Sequence, residues 1–172
     1  MKLKVREMVV FGMLGAIMYA SKVIMDVAPN IHLIGVFIMS FTVVYRKKAL
    51  YPIYVFILLT GLFSGFATWW VPYLYIWTIL WGVTMLIPNK MPLWAKTIVY
   101  MAVNAAHGFL YSILYAPAQA LFFGLSFEGM LAWIVAGFPF DLIHGVSNFF
   151  CGILIGPIIK LLSKLENTAT FY

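Results

Sequence analysis

Long apolar runs separated by short breaks dominate this sequence, and they restrict it to very few folds. Several runs approach the roughly 20 residues that a helix needs to cross a hydrocarbon core about 30 Å thick. Apolar residues make up 65% of the 172 residues and charged residues only 9%, whereas soluble domains average about 25% charged. We therefore predict an all-α integral membrane protein.

The breaks between the runs predict six transmembrane helices in one membrane domain spanning residues 1–172. The predicted spans are residues 8–28, 31–45, 49–68, 72–88, 93–115 and 140–163. The second span is short for a bilayer, so we expect it to sit among neighbouring helices or to begin in the headgroup region. Residues 116–138 are apolar but interrupted by proline and glycine, which predicts a long outer loop carrying a short helix between helices 5 and 6.

The basic residues orient these spans, because lysine and arginine favour cytoplasmic loops. With six spans and the N-terminus inside, ten of the eleven basic residues fall on one side, and Lys22 alone falls on the other. The N- and C-termini are thus predicted to be cytoplasmic. The ten residues on the inner side are Lys2, Lys4, Arg6, Arg46, Lys47, Lys48, Lys90, Lys96, Lys160 and Lys164.

Three small residues, Gly12, Ala16 and Ala20, follow one another at four-residue spacing in the first helix. They share one helix face, and such a stripe lets another helix approach closely within a membrane. The partner is either a neighbouring helix of the same bundle or a separate protein.

Polar and aromatic residues collect at the predicted outer side. An aromatic cluster with a few polar groups is typical of a small-molecule site, although Trp and Tyr also form interfacial belts. We expect Trp94 and Trp133 to lie outside such a site. The outer residues are Asp26, Asn30, His32, Trp69, Trp70, Tyr73, Tyr75, Trp77 and Gln119.

The last predicted helix starts at Pro139 and carries Asp141, His144 and Asn148 on one face, at i, i+3 and i+7. Buried ionisable groups are costly in a membrane, so this face is expected to line a cavity or a polar helix interface. A histidine that met an anionic ligand would bind it more tightly as the pH falls. Asn104 and His107 lie near mid-membrane, where hydrogen bonding between helices competes with ligand contact.

The sequence contains no motif that indicates an enzyme. It contains no HExxH motif, no nucleophile in a recognisable setting and no GxxxxGK[ST] phosphate loop. We therefore predict no catalytic residues, no cofactor and no metal site, since the three histidines are far apart in the chain. The basic residues sit in short gaps between apolar runs, so they indicate membrane orientation and no nucleic-acid partner.

Six helices in under 180 residues, the small-residue stripe and the Pro-Phe-Asp-Leu-Ile-His-Gly segment at 139–145 give the chain a family resemblance. It resembles the substrate-binding S component of an energy-coupling factor (ECF) transporter, a type of ABC vitamin importer. The resemblance covers the whole chain in architecture.

The resemblance implies a non-catalytic substrate-capture subunit in a bacterial plasma membrane. It would dock through Gly12, Ala16 and Ala20 on a transmembrane coupling protein that works with two ATPase subunits. The position of His144 is often lysine in this family, so recognition of an anion would need a protonated imidazole. The implied substrate-binding residues are Asn30, His32, Trp69, Trp70, Tyr73, Tyr75, Gln119, Asp141, His144 and Asn148.

The implied substrate is a water-soluble B-group vitamin, with pantothenate as the first candidate and a pyridoxine or hydroxymethylpyrimidine-like compound as the second. The main alternative is a stand-alone secondary carrier or small channel for a small polar solute. Such a protein needs a coupling-ion or pore site at mid-membrane, for which only Asn104 and His107 are candidates, and no inverted repeat supports it. A membrane enzyme or assembly factor using Asp141 and His144 is a third possibility.

Overall fold

The computed structural model describes residues 3–88 and 90–169, so Lys2 lies outside the described residues. The described part of the chain is mostly helical and contains no strand, which confirms the all-α prediction. Short 3-10 turns connect α2 to α3 and α7 to α8, and another precedes α4. The α-helices are α1 (Val5–Met25), α2 (Ile34–Tyr45), α3 (Leu50–Ser64), α4 (Tyr73–Leu86), α5 (Leu93–Phe109), α6 (Tyr111–Phe123), α7 (Phe127–Cys151) and α8 (Ile155–Ala169).

Four helical stretches of the described chain are long and apolar enough to cross a membrane. Two of them, 34–64 and 93–123, each join two consecutive helices, and the stretch 127–167 joins α7 to α8. The apolar side chains that remain exposed include many on α1, α3 and α7. A surface of this kind belongs in lipid, so the chain is a membrane protein.

Helix α2 forms the centre of the bundle. Eight of its 12 residues are buried, from Ile34 to Thr42. The Ser40 and Thr42 hydroxyls donate to the carbonyls of Val36 and Ile38 in the preceding turn, which satisfies these buried groups within the helix. Of the two positions predicted for the short second helix, the one among neighbouring helices is confirmed.

Helices α1 and α3 pack side by side and run in the same direction. Phe11 stacks on Tyr51 at one end of the pair and Tyr19 stacks on Phe63 at the other. Between these contacts the two backbones approach closely at Gly15, where a Cβ would lie 2.9 Å from the Pro52 carbonyl oxygen. The contact residue of α1 is therefore Gly15 and not Gly12.

Helices α5 and α7 form an antiparallel pair with a very close crossing. A Cβ built on Gly108 would lie 2.8 Å from Gly145 Cα, and one on Gly152 would lie 2.8 Å from Met101 Cα. Between these two points the Asn104 and Asn148 side chains each donate to the other's backbone carbonyl, at 2.8 and 3.2 Å. Small residues and reciprocal amide hydrogen bonds are a stable way to join helices in lipid.

The prediction of a long outer loop over residues 116–138 is wrong, because most of these residues are helical. Residues 111–123 form α6, which ends at Gly124 in the left-handed conformation, and α7 already begins at Phe127. The Ser126 hydroxyl caps α7 by accepting from the Gly129 amide at 3.2 Å. Pro139, expected at a helix start, lies in the middle of α7. Proline is tolerated in membrane helices because neighbouring groups can satisfy the freed carbonyl.

The segments that carry most of the basic residues meet at one end of the bundle, which we call the basic end. Lys48 pairs there with Glu7, and Arg6 lies 3.5 Å from Glu166. The Arg46 guanidinium donates to the Met85 carbonyl at 3.2 Å, so the C-terminal end of α4 lies beside the α2–α3 turn. Lys22 lies at the opposite end, paired with Asp26 one turn later in the chain.

Candidate functional site

A cavity of about 540 Å³ opens at the end of the bundle opposite the basic end. It lies between the α1–α2 loop, the α3–α4 turn, α6 and the middle of α7. This volume falls within the range of small-molecule sites. Its lining residues are Asn30, Thr68, Trp69, Tyr111, Ser112, Tyr115, Gln119, Phe123, Trp133, Ala136, Gly137, Phe140, Asp141 and His144.

Five of the ten predicted substrate-binding residues line this cavity: Asn30, Trp69, Gln119, Asp141 and His144. Asn30 adopts a positive φ of 63°, a conformation that asparagine accepts more readily than most residues. The Ser147 hydroxyl donates to the Asn30 carbonyl at 2.9 Å and so holds the α1–α2 loop against α7. Residues distant in sequence thus meet at this mouth.

Asp141 is the one formally charged side chain in the described cavity wall, and only 5% of it is exposed. Its two carboxylate oxygens accept from the Ser112 backbone N–H at 3.2 and 3.1 Å. Ser112 is the second residue of α6, where a helix has no internal acceptor for its N–H groups. Asp141 therefore caps α6 and fixes it to α7, and it keeps further acceptor capacity toward the cavity.

His144 forms the base of the cavity and is 4% exposed. Its Nε2 atom is buried and has no hydrogen-bond partner. Its ring contacts those of His32, at 4.6 Å between centroids, and Tyr111, at 5.0 Å. A buried polar atom without a partner costs about 1–3 kcal/mol, so a hydrogen bond from a ligand or an ordered water to this nitrogen would be stabilising.

His32 lies behind His144, in the loop before α2. Its Nδ1 atom is also buried and unpartnered. Burial lowers the pKa of His32 to about 4, so the imidazole is neutral at pH 7. The third histidine, His107, is also buried. Its ring contacts Trp77, and its Nε2 lies 3.2 Å from the Ile76 carbonyl oxygen. Among the described residues, no group of three or more His, Cys, Asp or Glu side chains is placed to hold a metal ion.

The other predicted site residues support the cavity from outside its wall. Trp70 donates its indole N–H to the Ile57 carbonyl at 2.8 Å, and the Tyr75 hydroxyl donates to the Leu114 carbonyl at 2.9 Å. Tyr73 packs edge-on against both Trp69 and Trp77. Asn148 lies one helical turn after His144, and its side chain and that of Asn104 each donate a hydrogen bond to the other's backbone carbonyl.

The sequence interpretation missed an aromatic half of the wall, contributed mostly by α6 and α7. Tyr115 and Trp133 stack with a centroid distance of 5.7 Å, and Tyr115 also donates its hydroxyl to the Trp69 carbonyl at 2.7 Å. Trp133, which was expected outside such a site, lines this cavity. The available signal was the aromatic residues between positions 111 and 140, but interpreting residues 116–138 as a loop concealed it.

No family model matches the chain, and no match was found among curated proteins or solved structures.

The small-residue stripe on α1 faces away from the bundle. Ala16 and Ala20 are exposed, and a Cβ built on Gly12 meets no atom within 4 Å. The buried face of α1 consists of Phe11, Leu14, Gly15 and Met18. Of the two partners considered for the stripe, a neighbouring helix of the described bundle is therefore excluded.

Proposed function

We propose that this protein is the substrate-capture subunit of an ATP-driven ECF-type importer for a water-soluble B-group vitamin. The observation that carries the proposal is the aromatic-walled cavity at the end opposite the basic end. Its few polar groups, Asp141, His144, Asn30 and Gln119, converge on a volume suited to one small molecule. Pantothenate and a pyridoxine or hydroxymethylpyrimidine-like compound remain the candidate substrates.

The proposed topology has six spans, with α5–α6 and α7–α8 each acting as one extended span. The basic end then faces the cytoplasm by the positive-inside rule, and both termini lie there. The cavity would open to the outside of a bacterial plasma membrane. This orientation suits an importer, because the substrate is captured before energy is spent on its transfer.

The exposed small-residue face of α1 supports the proposal that a partner subunit docks on this protein. Ala16 and Ala20 expose a flat surface on which another helix can pack closely. We propose that the transmembrane coupling protein docks there, and that two ATPase subunits attached to it supply the energy. The chain itself has no phosphate-binding loop.

A stand-alone carrier or channel remains the competing function. Its mid-membrane candidates are engaged in packing, since Asn104 bonds to Asn148 and His107 lies against the Ile76 carbonyl. These contacts favour a structural role for both residues.

Co-expression with an ECF coupling protein and its two ATPases tests the proposal. The wild-type chain is expected to co-purify with them and to support ATP-dependent vitamin uptake, while Ala16→Leu binds the vitamin but neither assembles nor transports. Ala102→Leu, the same change at an exposed alanine of α5, is the control and is expected to behave as wild type. Uptake by the chain alone in liposomes, without ATPases, would favour the carrier instead.

A further inference from the structure

The cavity wall carries an unbalanced charge. Asp141 is its one formally charged group among the described residues, and no lysine or arginine lines it. Lys22, the basic residue already placed at this end of the bundle, is paired with Asp26 at 3.0 Å. A carboxylate ligand placed beside Asp141 would meet a like charge in a poorly solvated site, where the repulsion between them is strong.

The aromatic walls also favour a cationic ligand over an anionic one. Trp69, Tyr111, Tyr115, Trp133 and Phe140 present ring faces or edges to the cavity. The negative faces of these rings attract cations and stack on flat heterocycles. A planar ring with amino substituents would use both the walls and the acceptor at Asp141.

His144 adds a second polar contact at the base. Its Nε2 is buried without a partner, and once a ligand displaces the side chains that cover it, it can donate to or accept from a ring nitrogen, depending on the imidazole tautomer. Asn30 and Gln119 add amide groups to the wall. The wall therefore combines one carboxylate acceptor, one imidazole nitrogen and two amides in a cavity lined largely by aromatic side chains.

We infer that the cavity selects a flat nitrogen heterocycle that directs an amino group or a protonated nitrogen at Asp141, and that it discriminates against ligands whose polar end is a carboxylate. The inference rests on the proposed function and narrows its substrate class. Aminopyrimidine and pyridine-type compounds fit this class, and pantothenate, an acyclic carboxylate, does not. Asp141 would then both cap α6 and recognise the ligand, so that binding reinforces the α6–α7 pair.

Titration calorimetry on the purified full-length chain in detergent tests the inference with two probes, 4-amino-5-hydroxymethyl-2-methylpyrimidine and pantothenate. We expect the aminopyrimidine to bind at least about 100-fold more tightly. Pantothenate binding as tightly or more tightly would overturn the inference and leave the vitamin-capture function standing. Binding of neither probe, with the protein folded, would count against both.

Asp141→Asn separates recognition from capping. The amide oxygen of asparagine can still accept from the Ser112 N–H, so the fold is expected to persist while the charge is lost. We expect aminopyrimidine affinity to fall on the order of 10- to 100-fold with an unchanged unfolding midpoint. Glu128→Gln, the same charge change at an exposed position of α7, is the control and should leave affinity unchanged. Equal affinities in Asp141→Asn and wild type would overturn the role of Asp141.

Discussion

The α5–α7 crossing makes Gly108→Ala the most informative single substitution. An added Cβ would lie 2.8 Å from both the Cα and the N of Gly145, whereas ordinary contact begins at about 3.4 Å. The helices must therefore separate locally by about 0.6 Å, the difference between these distances. Overpacking of this kind costs about 1–3 kcal/mol.

The displacement reaches the cavity because Asp141 and His144 lie on α7 beside this crossing. The Ser112 N to Asp141 carboxylate distance of 3.1 Å would approach 3.7 Å if the whole movement were passed on, which is too long for a hydrogen bond. We therefore expect Gly108→Ala to lose both stability and ligand affinity.

Gly12→Ala is the matched control, since its Cβ meets no atom within 4 Å. Both substitutions carry the roughly 1 kcal/mol helix-propensity gain of Ala over Gly, so the difference between the two variants measures crowding alone. Thermal unfolding in detergent and calorimetry with the aminopyrimidine probe provide the two readouts. Equal unfolding midpoints for the two variants would refute the packing argument.

Two other outcomes follow from the site. Trp133→Ala should weaken ligand binding about tenfold or more, while Trp94→Ala, at a residue 70% exposed and outside the cavity, should have no effect in the same calorimetry. For His32, the folded-state pKa of about 4 lies below the unfolded value near 6.5, so the unfolded chain binds more protons between these pH values. Stability is thus expected to fall as the pH drops from about 6.5 toward 4, and His32→Gln should reduce that loss in unfolding midpoints measured against pH.

The sequence alone determined the membrane character and the all-helical class, and it left the short second helix either among its neighbours or beginning in the headgroup region. These properties follow from the hydrophobicity and length of each apolar run. In lipid the backbone N–H and C=O groups of such a run must hydrogen-bond to one another, which makes the run helical. Helix ends near Tyr45, Ser64 and Leu86 fell within about four residues of the predicted positions, since basic, glycine or proline residues follow them closely. Half of the predicted site residues also line the cavity.

Only the tertiary structure decided that residues 116–123 and 127–138 are helical and form a wall of the cavity. Proline and glycine end helices in water, but a packed neighbour removes that penalty in a membrane, so Pro117 and Pro139 gave a misleading local signal. The contact between Ser112 and Asp141 joins residues 29 positions apart, and no local pattern encodes such a pairing. The outward direction of Ala16 was likewise settled by packing, because Gly15, one position earlier, provides the close approach to α3.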